Sequence, residues 1–440
     1  MKALFISYFY PPIGTVGTVR ITKFIKFLHR LGYSCSVLTI KNVVHQTLDE
    51  SLEHDIPSDV KIYRTFHLEP RTFYRQKAPV SGAEFQSGWS LGFKKTLISW
   101  TQKTLKFLLL PDELIFWAPF AIFRGIQIVR RDHIDVIFSS SPPPTVHIIA
   151  YFIKFFTGVP WVSDFRDEWA NDPGNQPPTR FHRTLNGWME RSVVSKSDSV
   201  AVVTPSIYDE MGSEYKNHPN KFTIIPNGFD DEDISTNPNN KPPTNKLTIT
   251  YSGTFYQHQT PYYFFRALKE LSSDGLVHLE DLRFVMYGNI VTGTIGVDIL
   301  NDTLFLPIVF IHPYQPHDQL CSLLLNTDIL FLVISSKFGW GTFSGKLFEY
   351  LGARRFIFGL VPTHGLAADI IRETKSGVAV EPENIPQIKE TFLTVYRQWK
   401  ENSFHLNPNE AEISKYTRRQ QAEQLFRIFN KVTGVKPAGK

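Results

Sequence analysis

Cysteine is nearly missing from this 440-residue chain. Cys35 and Cys321 are its only two, which excludes a disulfide framework and makes a reducing compartment the expected setting. Long apolar runs are missing as well. None reaches the roughly 18 residues that a membrane-spanning helix needs. The opening MKALFISYFYPP breaks at Pro11, too early for a signal peptide's apolar segment, and reads as a buried first strand. Nor does either charge dominate. A net charge of +5 is too weak to argue for nucleic acid, and neither zinc-finger spacing nor an arginine-rich arm occurs. The expected setting is cytoplasmic, either in solution or peripheral to the inner face of a membrane.

What is present suits two packed domains. Hydrophobic residues make up 42% and charged residues 20% of the chain, enough to build cores of roughly 150–250 residues each. The first half alternates strand and helix. Strands are predicted at Ala3–Tyr8, Ser34–Ile40, Val60–Tyr63, Asp135–Ser139, Trp161–Asp164 and Ser199–Val203, with helices at 18–31, 145–156 and 181–196. A Pro/Asn/Asp-rich stretch at 226–246 reads as a linker. The rhythm then restarts with strands at Leu247–Tyr251, Leu282–Tyr287, Asp328–Val333, Phe356–Leu360 and Gly377–Val380. Helices are predicted at 261–273, 345–352, 366–374 and 409–431. This order predicts α/β folding with parallel sheets and right-handed crossovers, and a ligand site in a cleft where strands end.

The aromatic share is high, at 14% with 36 Phe. Residues 89–131 interleave Trp, Phe and Leu with basic residues, including Lys94, Lys95, Lys103 and Lys106. Such a segment either lies on an anionic bilayer or packs its apolar face on the core. Both readings stand at this point.

Four segments can carry chemistry. The loop PPIGTVGTVR places Gly14 and Gly17 before a helix N-terminus, where backbone N–H groups can meet an oxyanion; a bland tight turn would look similar. Its spacing is not the dinucleotide G-x-G-x-x-G pattern, so hydride chemistry gains no support. The second segment, residues 139–169, brings His147 to a helix start and Asp164, Arg166 and Asp167 to a strand end. Beside Trp161 and Trp169, this cluster suits sugar hydroxyls and a sugar face; an Asp–Arg ion pair holding the loop is the plainer reading. The third, around Asn227-Gly228, is a turn at the hinge. The fourth, GWGTFSGKLFEYLGARRF, puts Ser344, Gly345, Lys346, Leu347 and Glu349 at a helix start. Lys346 and Glu349 share a face there, so an ammonium and loop amides can meet a diphosphate while a carboxylate accepts from ribose hydroxyls.

In this order the segments resemble the retaining glycosyltransferases of the group-1 family (glycosyltransferase family 4), along nearly the whole chain. The carrying motifs are PP in the first loop, DFRD-W, IPNGFD, YSGT and S-x-K-x-x-E-Y-L. The resemblance implies the GT-B fold: two Rossmann-like domains facing a central cleft, with a C-terminal helix crossing back to the first. Its domains would be 1–204 for the acceptor, 205–246 as hinge and linker, 247–405 for the donor and 406–440 as the returning helix. It implies a hexosyl transfer, with retention, from a UDP- or GDP-sugar to a saccharide or lipid-linked acceptor, in surface polysaccharide or glycolipid synthesis. Catalysis would fall to Asp164, Arg166, Asp167 and His147. Donor binding would fall to Gly14, Gly17, Gly253, Thr254, Ser344, Gly345, Lys346, Leu347 and Glu349.

This sequence departs from the family pattern in three places, one of them Arg166, which aligns with the histidine that the family has near a strand end of the first domain. The family's first motif glutamate falls at Gly341, and GTFYQHQTP carries no Arg or Lys, so His258 or Lys346 is left to supply charge. No metal cluster is visible and no D-x-D motif lies at the end of a suitable strand; Asp230-Asp231 reads as solvated, and no cofactor is expected. A catalytically silent homologue acting as a partner subunit, and a GT-B sugar-nucleotide epimerase, remain as alternatives.

Overall fold

The computed structural model describes residues 1–41, 47–67, 109–170, 179–215, 219–234, 245–338, 341 and 344–435. They form two compact units. The first comprises Met1–Leu48, Asp55–Ile225 and Glu423–Lys440; the second comprises Asp49–His54 and Pro226–Ala422.

The first unit is built on seven parallel strands: β1 Lys2–Ile6, β2 Ser34–Ile40, β3 Lys61–Thr65, β4 Val136–Ser141, β5 Trp161–Phe165, β6 Ser199–Val202 and β7 Phe222–Ile224. Their order is β3-β2-β1-β4-β5-β6-β7. Helix α1 (Val16–Arg30) starts where Thr15 accepts from the Thr18 N–H and stops before Gly32, whose φ of +87° only glycine adopts freely. Next come α2 (Ala118–Asp132), α3 (Thr145–Thr157), α4 (Arg180–Lys196) and α5 (Pro205–Glu214). Within residues 205–225, assigned to the hinge and linker from sequence, Pro205–Glu214 form α5 and Phe222–Ile224 form β7, which pairs with β6. Of the stretch 89–131, residues 89–108 with their four lysines lie outside the described residues, and the rest contains α2.

The second unit has six parallel strands: β8 Leu247–Ser252, β9 Leu282–Tyr287, β10 Val309–His312, β11 Ile329–Val333, β12 Phe356–Leu360 and β13 Gly377–Val380. Their order is β10-β9-β8-β11-β12-β13. Its helices are α6 (Tyr262–Ser273), α7 (His317–Leu325), α8 (Gly345–Ala353), α9 (Leu366–Glu373), α10 (Ile385–Lys400) and α11 (Glu410–Ser414).

The single helix predicted at 409–431 is broken in two. After α11 the chain pairs with Phe229, whose N–H donates to Tyr416 O (3.1 Å) and whose carbonyl accepts from the Arg418 N–H (2.7 Å). Helix α12 (Arg418–Thr433) follows, and its last turns belong to the first unit. There Phe429 packs on Tyr33, Phe138 and Phe5, and Tyr33 donates to Asn430 at 2.8 Å. The same bridge explains Gly228: a Cβ there would lie 2.0 Å from Tyr416 O, so this glycine serves close packing and not a free linker turn. Asp230 is buried rather than solvated, and its carboxylate accepts from the Glu232 N–H; Asp231 is exposed. No helix among the described residues is long and apolar enough to cross a membrane.

Candidate functional site

In the second unit the loops after β8 and β9 meet at two glycines. Gly253 has φ +116° and Gly288 φ +138°, and a Cβ on Gly288 would lie 2.1 Å from Gly253 O. The Gly253 N–H donates to Tyr287 O at 2.8 Å, which pins one loop to the next strand end. Helix α8 starts opposite them. Ser344 caps it by accepting from the Lys346 N–H, and Leu347, Phe348, Tyr350 and Leu351 face the core. Tyr350 Oη accepts from the Ser252 N–H (3.0 Å), which fixes the helix against the end of β8.

Lys346 and Glu349 stand half-buried on the remaining face of this helix. Lys346 Nζ donates to Tyr251 Oη (2.9 Å) and lies 4.6 Å from the centre of that ring. Tyr251 in turn stacks on Phe255 and donates to Thr254 O. The Lys346 stem covers Gly253: a Cβ there would come within 2.1 Å of Cε. Burial pulls the Lys346 ammonium down to about 8, with Glu349 resisting. Burial likewise pushes the Glu349 carboxyl up, against the pull of His317, Lys346 and Arg418. The predicted residues Gly253, Thr254, Ser344, Gly345, Lys346, Leu347 and Glu349 are therefore brought to one place. Gly341 is described, but residues 342 and 343 of its loop are not.

Two groups here were missed from sequence. Beside His258, Lys337 just past β11 donates to its Nε2 at 3.4 Å. On the Glu349 side, His317 at the start of α7 pairs with Asp233 (2.9 Å), and Asp49 accepts from the His317 N–H (2.8 Å) and from Tyr314 Oη (3.0 Å). Burial opposes the His317 imidazolium. The bond to Asp233, aided by Cys321 and Glu349, still holds its pKa well above the usual value. Nothing local in the sequence signals partners that lie 84 and 268 positions away.

In the first unit the predicted catalytic group divides. Asp164 is fully buried and saturated: Arg20 Nε and Nη2 donate to its two oxygens (3.0 and 2.7 Å), and Ser140 Oγ donates at 2.7 Å. Its partner is Arg20 from α1, so Asp164 ties the end of β5 to that helix. His147 is also buried. Ser139 Oγ, which accepts from Trp161 Nε1, bonds its Nδ1 at 2.8 Å, and burial pulls its pKa down to about 3, so it stays neutral at ordinary pH. Trp161 and Trp169 are core residues and offer no stacking platform for a sugar.

Arg166 and Asp167 follow directly on the end of β5. Arg166 donates to Ser141 O (2.9 Å) and Pro142 O (3.0 Å), and Asp167 is exposed. Gly17 packs against the Arg166 guanidinium, whose Nη1 would lie 2.1 Å from a Cβ there. Gly14 donates its N–H to Thr47 O at 3.0 Å. The structure gives Gly14 a turn contact and Gly17 a packing role against the arginine.

Residues 85–233 match the model of Glycosyltransferase Family 4. No curated protein matches the sequence. Solved structures do match in shape. A glycosyltransferase from Rickettsia africae is 14% identical, with 98% of each chain covered and a TM-score of 0.62. Sucrose-phosphate synthase from Thermosynechococcus elongatus is 10% identical, with 99% of this chain and 100% of that one covered and a TM-score of 0.63. An Anabaena protein solved with UDP is 12% identical, with 98% and 100% covered and a TM-score of 0.57. The fold is that of two Rossmann-like units, as in GT-B glycosyltransferases, and the family match supports a glycosyltransferase.

Proposed function

We propose that the chain transfers a hexosyl group, with retention, from a UDP- or GDP-sugar to a saccharide or lipid-linked acceptor in surface polysaccharide or glycolipid synthesis. One observation carries this reading: Lys346 and Glu349 lie on one face of α8, opposite the Gly253 loop that only a glycine-bearing turn could form. The diphosphate would meet Lys346 and the first N–H groups of α8, whose dipole favours anions. Glu349 would accept from the ribose hydroxyls. Lys337, beside His258, would supply charge that the GTFYQHQTP loop lacks. Leaving-group charge is thereby neutralised as the anomeric bond breaks, and the departing phosphate takes the acceptor proton. In the first unit, the half-buried Arg166 and the exposed Asp167 would be open to an acceptor. The two free, buried cysteines suit a reducing, cytoplasmic setting. Neither metal nor cofactor is needed for this chemistry.

A silent homologue is favoured by two departures from the family pattern, the glycine at 341 where the family has a glutamate and a GTFYQHQTP loop without Arg or Lys. Mass-detected turnover over a panel of UDP- and GDP-sugars separates the two. Donor hydrolysis or transfer supports the enzyme, donor binding without turnover supports the silent subunit, and no binding at all sinks both.

A further inference from the structure

Helices α2, α3 and α4 connect β3 to β4, β4 to β5 and β5 to β6, three steps in one direction along the sheet. Right-handed crossovers therefore put all three on one face of the first unit, and α3 packs against both of its neighbours. Each helix buries one stripe on the sheet and turns aromatic rings outward. Ahead of and along α2, Phe116, Phe120 and Phe123 recur at helical spacing, with Phe123 68% exposed. On α3 the outward residues are Phe152, Phe155 and Phe156, with Phe155 71% exposed. On α4 they are Phe181 and Trp188, at 69% and 59%. Single exposed apolar residues need no explanation, but eight large rings on three adjacent helices form a patch that does.

Charge identifies the partner. Helix α2 carries three arginines and one aspartate, α3 one lysine and no acid, and α4 four basic residues and one glutamate. The surplus on these helices is six positive charges, of which Lys154 pairs with Asp198, and Arg131 pairs with Asp132. A protein partner for an aromatic patch needs no such surplus. Rings that sink to the level of lipid carbonyls, on helices whose excess of arginine and lysine meets anionic headgroups, do.

We propose that the outward face of α2, α3 and α4 docks on an anionic bilayer, with Phe155, Phe156, Phe181 and Trp188 as the inserting residues. A lipid-linked acceptor would give this surface its use, yet its test needs no donor and stands or falls apart from the transfer reading.

The test is sedimentation of the full chain with vesicles of phosphatidylcholine, with and without phosphatidylglycerol. Binding is expected only with the anionic lipid and should weaken in about 1 M salt, where the screening length is about 3 Å. Phe155→Ser/Phe156→Ser/Trp188→Ser should bind about tenfold more weakly with an unchanged melting temperature, because these side chains leave the core untouched. Arg180→Glu/Arg183→Glu should lose the preference for anionic vesicles. Acyl-brominated lipid should quench fluorescence in the wild type and much less in Trp188→Phe. Absence of wild-type vesicle binding, or full binding by the triple serine variant, overturns the proposal. So does a concentration-dependent dimer that the serine variant abolishes without any vesicle binding, which would assign the face to a second copy of the chain.

Discussion

Gly253 and Lys346 occupy each other's space: a Cβ on the glycine would lie 2.1 Å from the lysine Cε. The glycine's φ of +116° also excludes ordinary side chains. Gly253→Ala therefore has two effects. The strained backbone costs about 1–3 kcal/mol, visible as a lowered melting temperature, and the displaced lysine weakens binding of nucleoside diphosphates. Calorimetric titration beside thermal melts separates the two; a variant that melts lower yet binds normally would detach Lys346 from the ligand.

Lys346 also gives the site a pH limit. Its ammonium, pulled down to about 8 by burial, must be charged to meet a diphosphate. Donor affinity should hold below that pH and decline above it, by at most about tenfold per unit. Lys346→Arg should flatten the decline, because a guanidinium stays protonated. An unchanged slope in the arginine variant would place the titrating group elsewhere.

Asp164 should behave as a structural residue. Breaking a buried ion pair from one side costs about 3–5 kcal/mol, and here both side chains are fully buried. Asp164→Asn should lower stability strongly. At a temperature where the variant stays folded, its nucleotide affinity should match the wild type. A variant of native stability that has lost turnover would restore the catalytic role.

The His317–Asp233 pair predicts a pH-dependent stability. Since the folded pKa of His317 is raised, its contribution is fully present below the unfolded value near 6.5 and is lost as pH rises through the folded one. The melting-temperature gap between wild type and His317→Gln should be widest at mildly acid pH and shrink on going alkaline. A gap that widens with pH would mean the imidazole is neutral in the folded chain.

Much of the fold was legible because its signal is local. Ser34–Ile40, Leu282–Tyr287, Phe356–Leu360 and Gly377–Val380 are strands with the predicted bounds. Continuous apolar runs between turn residues leave little choice in a parallel sheet. Strand β10 escaped notice because Val309–His312 is a four-residue edge strand, mostly exposed. At the site, the Ser344–Glu349 run was readable because a cap, a lysine and a carboxylate fall within one helical turn. The ion pair of Asp164 could not be read because its partner, Arg20, lies 144 positions away. A buried Asp in an ion pair and a catalytic Asp at a strand end share the same sequence signal, and only the side chain's neighbours distinguish them.

The most direct measurement is titration of UDP and GDP into the wild type, Lys346→Ala and Glu349→Ala, with melting curves to confirm folding. The account predicts that the wild type binds one of the two nucleotides. Each variant should bind it at least about tenfold more weakly, a loss of about 1.4 kcal/mol or more. Undiminished affinity in both folded variants would contradict the assignment of the donor site to α8.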